Sequence, residues 1–177
     1  NRVRRQRQMC IRDRNKILHN SKLFDEFSNY FDNNDKFTLG VCNGCQTLSN
    51  LNSIIPGSDH WPSFLNNQSE RFESRIVMIN INKSNSIFTT DMQNSKLPIV
   101  ISHGEGRASL SKEQFKILSK NDQILMNYID DSGNSTNEYP FNPNGSFEGI
   151  AGVSSVNGNV TLMTVSYTHL RAHETRS

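Results

Sequence analysis

The segment Phe37-Thr-Leu-Gly-Val-Cys-Asn-Gly-Cys-Gln-Thr-Leu-Ser-Asn-Leu51 passes from an apolar run to a helical pattern within 15 residues. Its first part, up to Val41, is mostly apolar and is typical of a buried strand. Leu48 and Leu51 lie three positions apart, as residues on one face of a helix do. The sequence therefore predicts a strand, a tight turn and a helix in succession.

The turn carries a G-x-C-x-G-x-Q pattern formed by Gly40, Cys42, Gly44 and Gln46. Two glycines permit a sharp strand-to-helix turn, which would push the cysteine out at the end of the sheet. The N-terminus of the helix would favour the thiolate. The N–H of Asn43, directly after the cysteine, is placed to donate to an oxyanion. This arrangement indicates cysteine acyl transfer.

Three other interpretations of the two cysteines remain open from the residues alone. Cys42 and Cys45 could be small buried residues, because free cysteine is usually found in the core. They could form a redox C-x-x-C pair, although such a pair does not require flanking glycines. A zinc site is the weakest alternative, because two cysteines supply only half of a tetrahedral site and no second pair follows.

Several further motifs, in order along the chain, carry a family resemblance. They are Gly40 to Gln46, Ile54-Ile-Pro-Gly, Trp61-Pro, Asn67-Gln-Ser-Glu-Arg-Phe-Glu-Ser-Arg75, Pro98-Ile-Val-Ile-Ser-His-Gly-Glu-Gly-Arg107 and Tyr139-Pro-Phe-Asn-Pro-Asn-Gly-Ser146. The cysteine motif resembles that of class I, triad-type glutamine amidotransferases. Together the motifs resemble the C-terminal glutaminase domain of large, single-chain phosphoribosylformylglycinamidine synthases. The resemblance runs from about Asn15 to Met163.

The resemblance implies an α/β fold of the class I glutamine amidotransferase type, which is flavodoxin-like. Strands mixed with helices and no internal repeat agree with a mostly parallel central sheet. We expect one partial domain over residues 15–163, truncated at both ends. Within it, one amphipathic helix is predicted over Asn15 to Phe31, and strands buried on both faces over Arg75 to Asn82 and Leu97 to Ser102.

Two further elements are predicted from local signals. Ser111 to Lys120 reads as a helix, with Ser111 as its N-cap and Gln114 at the capping-box spacing. Residues 150–163 contain Asn157-Gly158 between two apolar runs, which is the sequence of a type I′ hairpin turn. These elements would complete the sheet at its edge.

The resemblance also implies a function. The chain would be the glutaminase part of a ligase that uses glutamine as amido-N-donor, and its ammonia would serve ATP-dependent formation of formylglycinamidine ribonucleotide in purine biosynthesis. No cofactor is expected in this part, since ATP and Mg²⁺ would belong to an absent synthetase domain. The partners would be glutamine and that synthetase domain of the same full-length chain. The alternatives are a cysteine hydrolase or peptidase of the same fold and a non-catalytic docking module.

By the same resemblance, Cys42 is the expected nucleophile. The expected substrate-binding residues are Asn43, Gln46, Arg71, His103 and Gly104, and no metal ligand is expected. Arg71 could instead form a buried ion pair with Glu73 or Glu105. A histidine such as His103 is, in isolation, more often structural than catalytic.

Neither end of the chain resembles the family. Residues 1–14 and 164–177 look foreign to the domain, and we expect them to be foreign or disordered tails. The family ends its last core strand with Pro-His-Pro-Glu, whose histidine is the base and whose glutamate orients it. Here Met163 is followed by Thr-Val-Ser-Tyr, and the spacing of His169, His173 and Glu174 does not reproduce the motif. The resemblance therefore implies low activity for this chain.

Composition and charge indicate the cellular compartment and the kinds of partner to expect. Three cysteines among 177 residues argue against a disulfide framework and for a reducing, cytoplasmic compartment. No signal peptide or membrane-spanning run is present in the sequence, so we expect no membrane partner. Six arginines and one aspartate within residues 1–14 account for more than the whole formal charge of +2. The acidic remainder gives no reason to expect a nucleic-acid partner.

Overall fold

The computed structural model describes the main chain of residues 2–165 and the side chains of residues 11–165. The helices are α1 (Arg2–His19), α2 (Ser21–Asp32), α3 (Asn43–Ser49) and α4 (Lys112–Lys120). The strands are β1 (Thr38–Val41), β2 (Ser63–Asn66), β3 (Glu73–Ile81), β4 (Lys96–His103), β5 (Glu105–Ser109), β6 (Ile124–Tyr128), β7 (Ile150–Ser154) and β8 (Val160–Met163). None of the helices in this described part has the length and apolar character needed to cross a membrane.

Six strands form the central sheet in the order β1-β8-β7-β6-β3-β4. Helices and strands alternate over much of the chain, so the predicted α/β class is confirmed. The strand–turn–helix predicted at the first motif is confirmed as β1 followed by α3. The hairpin around Asn157-Gly158 is confirmed, since β7 and β8 pair antiparallel across it. Its turn is not of type I′, because Gly158 has a positive φ (78°) and Asn157 does not.

The prediction of a mostly parallel sheet is confirmed only for the pair β1 and β8. The other four pairings are antiparallel. For β7 and β8 the reason is the short connection over residues 155–159, because parallel neighbours need a crossover of a dozen or more residues. Strands β1 and β8 lie far apart in the sequence and can therefore run in the same direction.

The helix predicted over residues 15–31 is two helices, and this part of the prediction was wrong. Asn20 separates α1 from α2 and adopts extended backbone angles (φ −111°, ψ 110°). Its side-chain oxygen accepts a hydrogen bond from the N–H of Leu23 at 3.1 Å. Asparagine is a favoured N-cap because this bond satisfies an N–H that the first turn leaves unpaired. The helical periodicity continues across the break, which is why the sequence concealed it.

Two groups of apolar side chains form the core. One lies among α2, α3, α4 and the sheet, and includes Trp61, Leu118 and Leu162. The other is built around β3, β4 and β6. Strand β3 alternates, however: Ile79 is 1% exposed, whereas Ile76 is 70% exposed. The prediction that this strand is buried on both faces is therefore wrong for the face that carries Ile76.

A second, two-stranded sheet was not predicted. Strands β2 and β5 pair antiparallel, with Phe64 opposite Ala108 and Leu65 opposite Arg107. Strand β5 begins at Glu105, immediately after the end of β4. This small sheet places the glycine-rich segment after β4 close to α3, where Gln46 donates a hydrogen bond to the carbonyl of Glu105.

Candidate active site

Cys42 lies at the sharp turn between β1 and α3. Its backbone angles are φ 54° and ψ −110°, in a region that residues other than glycine rarely occupy. The turn is fixed to the sheet by a 3.0 Å hydrogen bond from the Cys42 N–H to the carbonyl of Met163. A strained nucleophile between strand and helix is the geometry of a nucleophile elbow. The structure therefore has the turn that the sequence predicted.

Gly40, two residues before Cys42, is required by the packing of α3 against β1. A Cβ placed on Gly40 would lie 2.6 Å from a methyl group of Leu48, 2.9 Å from one of Leu162 and 3.0 Å from the carbonyl oxygen of Gly44. All three distances are shorter than or at the limit of real contacts, so a side chain here would separate the helix from the strand. Gly40 thus lets α3 approach β1 closely enough to hold the elbow.

Burial raises the pKa of Cys42 above its usual value of 9.0, and a hydrogen bond from the main chain of Asn43 acts in the opposite direction. The direction of this pKa shift is opposite to the expectation that the helix N-terminus favours the thiolate. Desolvation disfavours the charged form, and in a helix of only two turns this effect prevails. Activation of the thiol requires a base.

Cys45 lies one helical turn further along and is 1% exposed, within the core group that contains Trp61. Both Cys42 and Cys45 are free thiols. The interpretation as a buried apolar cysteine is right for Cys45 and wrong for the half-buried Cys42. No group of three or more histidine, cysteine, aspartate or glutamate side chains among the described residues could hold a metal ion.

Gln46 connects the elbow helix to the glycine-rich segment after β4. Its amide nitrogen donates to the main-chain carbonyl of Glu105 at 3.0 Å and to the carboxylate of the same residue at 3.3 Å. The side chain is 8% exposed. The structure thus brings Cys42, Asn43 and Gln46 on one helix together with the segment that contains His103 and Gly104.

His103 is 3% exposed, and neither nitrogen of its ring has a hydrogen-bond partner among the described residues. Burial lowers the pKa of His103 to about 4, with its own main chain and the charge of Glu73 acting weakly the other way. The imidazole occupies space that only a glycine leaves: a Cβ on Gly106 would lie 2.5 Å from the ring. His103 is therefore neutral at pH 7.

A cavity of about 450 Å³ opens beside this junction. Gln46, Asn50, Glu105 and Arg107 line its polar part, together with Ile11 of α1 and the strand β2. Its volume is within the range of small-molecule sites. Arg107 was not singled out from the sequence. Its place in the His103-Gly-Glu-Gly-Arg107 motif is the signal that could have identified it.

Arg71 is the predicted site residue that the structure does not bring into the site. Its side chain is exposed, so the buried ion pair weighed for it is absent. Glu73 instead pairs with Arg75 at 2.5 Å. The main chain of Arg71 does take part in the loop, since its carbonyl accepts a 2.9 Å hydrogen bond from Asn67. His169, His173 and Glu174 lie outside the described residues.

A family model described as a CobB/CobQ-like glutamine amidotransferase domain matches residues 13–171. A solved structure of PurLQS from Thermotoga maritima is also similar, with 25% sequence identity and a TM-score of 0.53. That match covers 73% of this chain and 50% of the Thermotoga maritima chain, so this chain spans about half of its length. The fold agrees with both findings, and the chain belongs to the family of CobB/CobQ-like glutamine amidotransferase domains.

Proposed function

We propose that this chain is the glutaminase domain of a phosphoribosylformylglycinamidine synthase. The observation that carries the proposal is the strained elbow at Cys42, with φ 54°, in a chain of the glutamine amidotransferase family. The similarity to PurLQS from Thermotoga maritima supports the assignment to purine biosynthesis. The motifs between Asn67 and Arg107 support it further.

The proposed reaction begins with attack of Cys42 Sγ on the side-chain amide carbon of glutamine. A tetrahedral intermediate forms, and its oxyanion accepts hydrogen bonds from main-chain N–H groups, including that of Asn43. The leaving nitrogen takes up the proton that the thiol has given up, the C–N bond breaks, ammonia leaves and a glutamyl thioester remains on Cys42. Water hydrolyses the thioester to glutamate and restores the thiol.

The substrate would lie between the elbow helix and the segment after β4. Gln46 already bonds to the Glu105 main chain, next to Gly104 and His103, and the cavity of about 450 Å³ begins at Gln46. Cys42 directly precedes α3 and Gln46 is the fourth residue of that helix, so Gln46 lies about one helical turn beyond the elbow.

The ammonia would pass to a synthetase domain of the same full-length chain, acting as an ATP-dependent ligase in the cytoplasm. ATP and Mg²⁺ would be bound by that domain. The similar Thermotoga maritima structure, PurLQS, supports a partner of this kind. No role for nucleic acid or for a membrane enters the proposal.

Slow turnover is part of the proposal. Among the described residues, no histidine or carboxylate forms a hydrogen bond with Cys42, and burial raises the pKa of its thiol. His103, with a pKa of about 4, is a poor base. A positioned base contributes about 10²- to 10⁴-fold to such a step. We expect ammonia release from glutamine by residues 1–177 to be slower by a factor of this order than release by a chain with Pro-His-Pro-Glu after Met163. Equal rates would refute this part of the proposal.

The function itself is tested with a diazoketone analogue of glutamine, followed by peptide mass spectrometry. We expect a covalent adduct on Cys42 that L-glutamine competes away, and no adduct in Cys42→Ala. Labelling of Cys42 by a simple alkylating agent but not by the glutamine analogue would favour a peptidase or another hydrolase. Absence of glutamine competition, with retained binding to a synthetase domain, would favour a docking module.

A further inference from the structure

Four consecutive main-chain carbonyls, those of His103 to Gly106, are held by other parts of the chain. The carbonyl of Glu105 accepts from Gln46 at 3.0 Å, and Gln46 belongs to the elbow motif. The other three carbonyls accept from Asn67 and Asn144, which lie in two of the motifs but have been given no role so far. Asn67 and Asn144 are 1% and 0% exposed.

Asn67 holds the first two carbonyls of the segment. Its side-chain nitrogen donates to the carbonyl of His103 at 2.8 Å, and its main-chain N–H donates to the carbonyl of Gly104 at 2.9 Å. The same side-chain nitrogen also donates to the carbonyl of Arg71 at 2.9 Å. Asn67 therefore ties the loop after β2 to the end of β4 through two hydrogen bonds, while the third closes its own loop at Arg71.

Asn144 holds the last carbonyl from the opposite side. Its side-chain nitrogen donates to the carbonyl of Gly106 at 2.8 Å and to the hydroxyl of Tyr128 at 3.2 Å. Its side-chain oxygen accepts from the hydroxyl of Ser146 at 2.8 Å. The carbonyl of Asn144 in turn accepts from the N–H of Gln68 at 3.0 Å, so the two asparagine loops also bind each other.

Fixing these carbonyls fixes the N–H groups between them. In a trans peptide the C=O and the following N–H point in opposite directions within one plane. Clamping the carbonyls of His103 and Gly104 therefore sets the direction of the N–H groups of Gly104 and Glu105. Glycine in this segment would otherwise leave the backbone conformationally free.

We propose that Asn67 and Asn144 are positioning residues that hold the main chain of residues 103–106 in the conformation that binds glutamine. This inference rests on the proposed function, in which the segment contacts the substrate. Asn67 and Asn144 do not touch the reacting atoms. They act through the carbonyls that they hold, and their loss is expected to weaken substrate binding without changing the thiol of Cys42.

The test uses the full chain of 177 residues and two readouts on each variant. The rate of Cys42 alkylation by iodoacetamide without glutamine measures the reactivity and accessibility of the thiol at the elbow. Protection of Cys42 by increasing L-glutamine gives an apparent dissociation constant. The variants Asn67→Asp and Asn144→Asp keep the side-chain size and remove the donor, and Asn67→Ala and Asn144→Ala serve where an aspartate variant does not fold.

The matched control is Asn159→Asp. Asn159 is 7% exposed, and its side-chain nitrogen donates to the carbonyl of Asn34 at 3.0 Å, at the end of β1 opposite the elbow. We expect the apparent dissociation constant to rise about fivefold or more in the Asn67 and Asn144 variants, as loss of one hydrogen bond implies. The control should lose thermal stability but keep the dissociation constant, and all alkylation rates without glutamine should agree within about twofold.

The outcomes separate the two proposals. If glutamine does not protect Cys42 in the unmodified chain, the proposed function fails and the inference fails with it. If the unmodified chain is protected and the variants are protected equally well, the inference alone fails. An equal loss of binding in Asn159→Asp would show a merely structural role and would also overturn it.

In the unmodified chain, glutamine should slow amide hydrogen exchange across residues 103–107 but not across 157–160, and an unchanged rate at 103–107 would contradict the inference without any variant.

Discussion

At the scale of single residues, burial decides the chemistry of the site. Cys42 and His103 both lose hydration, and in both the neutral form is favoured: the pKa of the thiol rises and that of the imidazole falls to about 4. The site therefore contains a thiol whose protonated form is favoured and a buried histidine whose neutral form is favoured. Two pH-dependent measurements follow from these directions.

The first prediction concerns alkylation of Cys42. Because burial raises its thiol pKa above 9.0, the thiolate forms only at high pH in the chain without a bound partner. We expect the iodoacetamide reaction rate at Cys42 to rise with pH with a midpoint above 9, measured by mass spectrometry of the Cys42 peptide. Cys45, 1% exposed, should not react until the chain unfolds. A midpoint near 7 or lower would show that a base or the helix N-terminus activates the thiol.

The second prediction concerns the free energy of unfolding. The pKa of His103 is about 4 in the folded chain and about 6.5 when unfolded, so the unfolded chain binds the proton more tightly. Stability is therefore greatest above pH 6.5 and falls as the pH drops from 6.5 to 4, by about 3 kcal/mol. Urea unfolding at pH 7.5 and 4.5 should show this loss, and His103→Gln should show less of it. The control variant is His60→Gln, which also replaces one histidine but at an exposed position.

At the scale of single elements, the ends of helices follow local rules. Helix α4 begins at a complete capping box: Ser111 Oγ accepts from the N–H of Gln114 at 3.1 Å, and Gln114 Oε1 accepts from the N–H of Ser111 at 2.9 Å. Both residues were identified from spacing alone, because the interaction lies within four residues. The predicted helix Ser111 to Lys120 is confirmed within one residue.

The third prediction is that Ser111→Ala lowers the free energy of unfolding by about 1 kcal/mol, since an N-cap hydroxyl is lost. Ser119→Ala is the control, because Ser119 is exposed in the same helix and caps nothing. It should leave stability unchanged or raise it slightly, since alanine is the better helix former. The two variants are compared by urea denaturation at constant pH. A larger loss in Ser119→Ala would contradict the capping argument.

The fourth prediction tests the faces of β3. Ile79 is 1% exposed and Ile76 is 70% exposed on the same strand. Ile79→Ala should cost about 2–5 kcal/mol of unfolding free energy, because a buried methyl-rich side chain leaves a cavity. Ile76→Ala should cost less than about 1 kcal/mol. Thermal and urea unfolding measure both. Equal losses would show that another surface covers Ile76 in solution.

At the scale of the whole molecule, charge is divided unevenly along the chain. Arginines at the start of the chain, up to Arg14, lie on α1, and Arg14 donates to the carbonyl of Asn50 at 3.2 Å. The remaining sequence is acidic on balance. Any attraction to nucleic acid should therefore belong to the arginines of α1 and not to the acidic remainder of the chain.

The fifth prediction is that binding of the chain to duplex DNA is weak, falls steeply with salt and disappears when the six arginines within residues 1–14 are changed to glutamine. When the logarithm of the binding constant is plotted against the logarithm of the salt concentration, the slope should be no steeper than about −5, the value for six phosphate contacts. Fluorescence anisotropy at several salt concentrations measures both quantities. Salt-dependent binding that persists in the glutamine variant would reveal a basic site elsewhere.

The sequence by itself determined the elements whose causes are local. The strand–turn–helix around Cys42, the capping box at Ser111 and the hairpin at Asn157-Gly158 each depend on residues only a few positions apart. It also identified the family, because the motifs fall in a specific order. Periodicity alone failed at Asn20, where one side-chain hydrogen bond ends a helix pattern that otherwise continues.

Only the tertiary structure decided what depends on distant segments meeting. The parallel pairing of β1 with β8 joins residues more than 100 positions apart, and the burial that raises the pKa of Cys42 depends on that packing. The clamping of residues 103–106 by Asn67 and Asn144 likewise arises from loops that are remote in sequence. A sequence pattern records which side chains can bond and pack, whereas burial and hydrogen-bond partners are set by which segments the fold brings together.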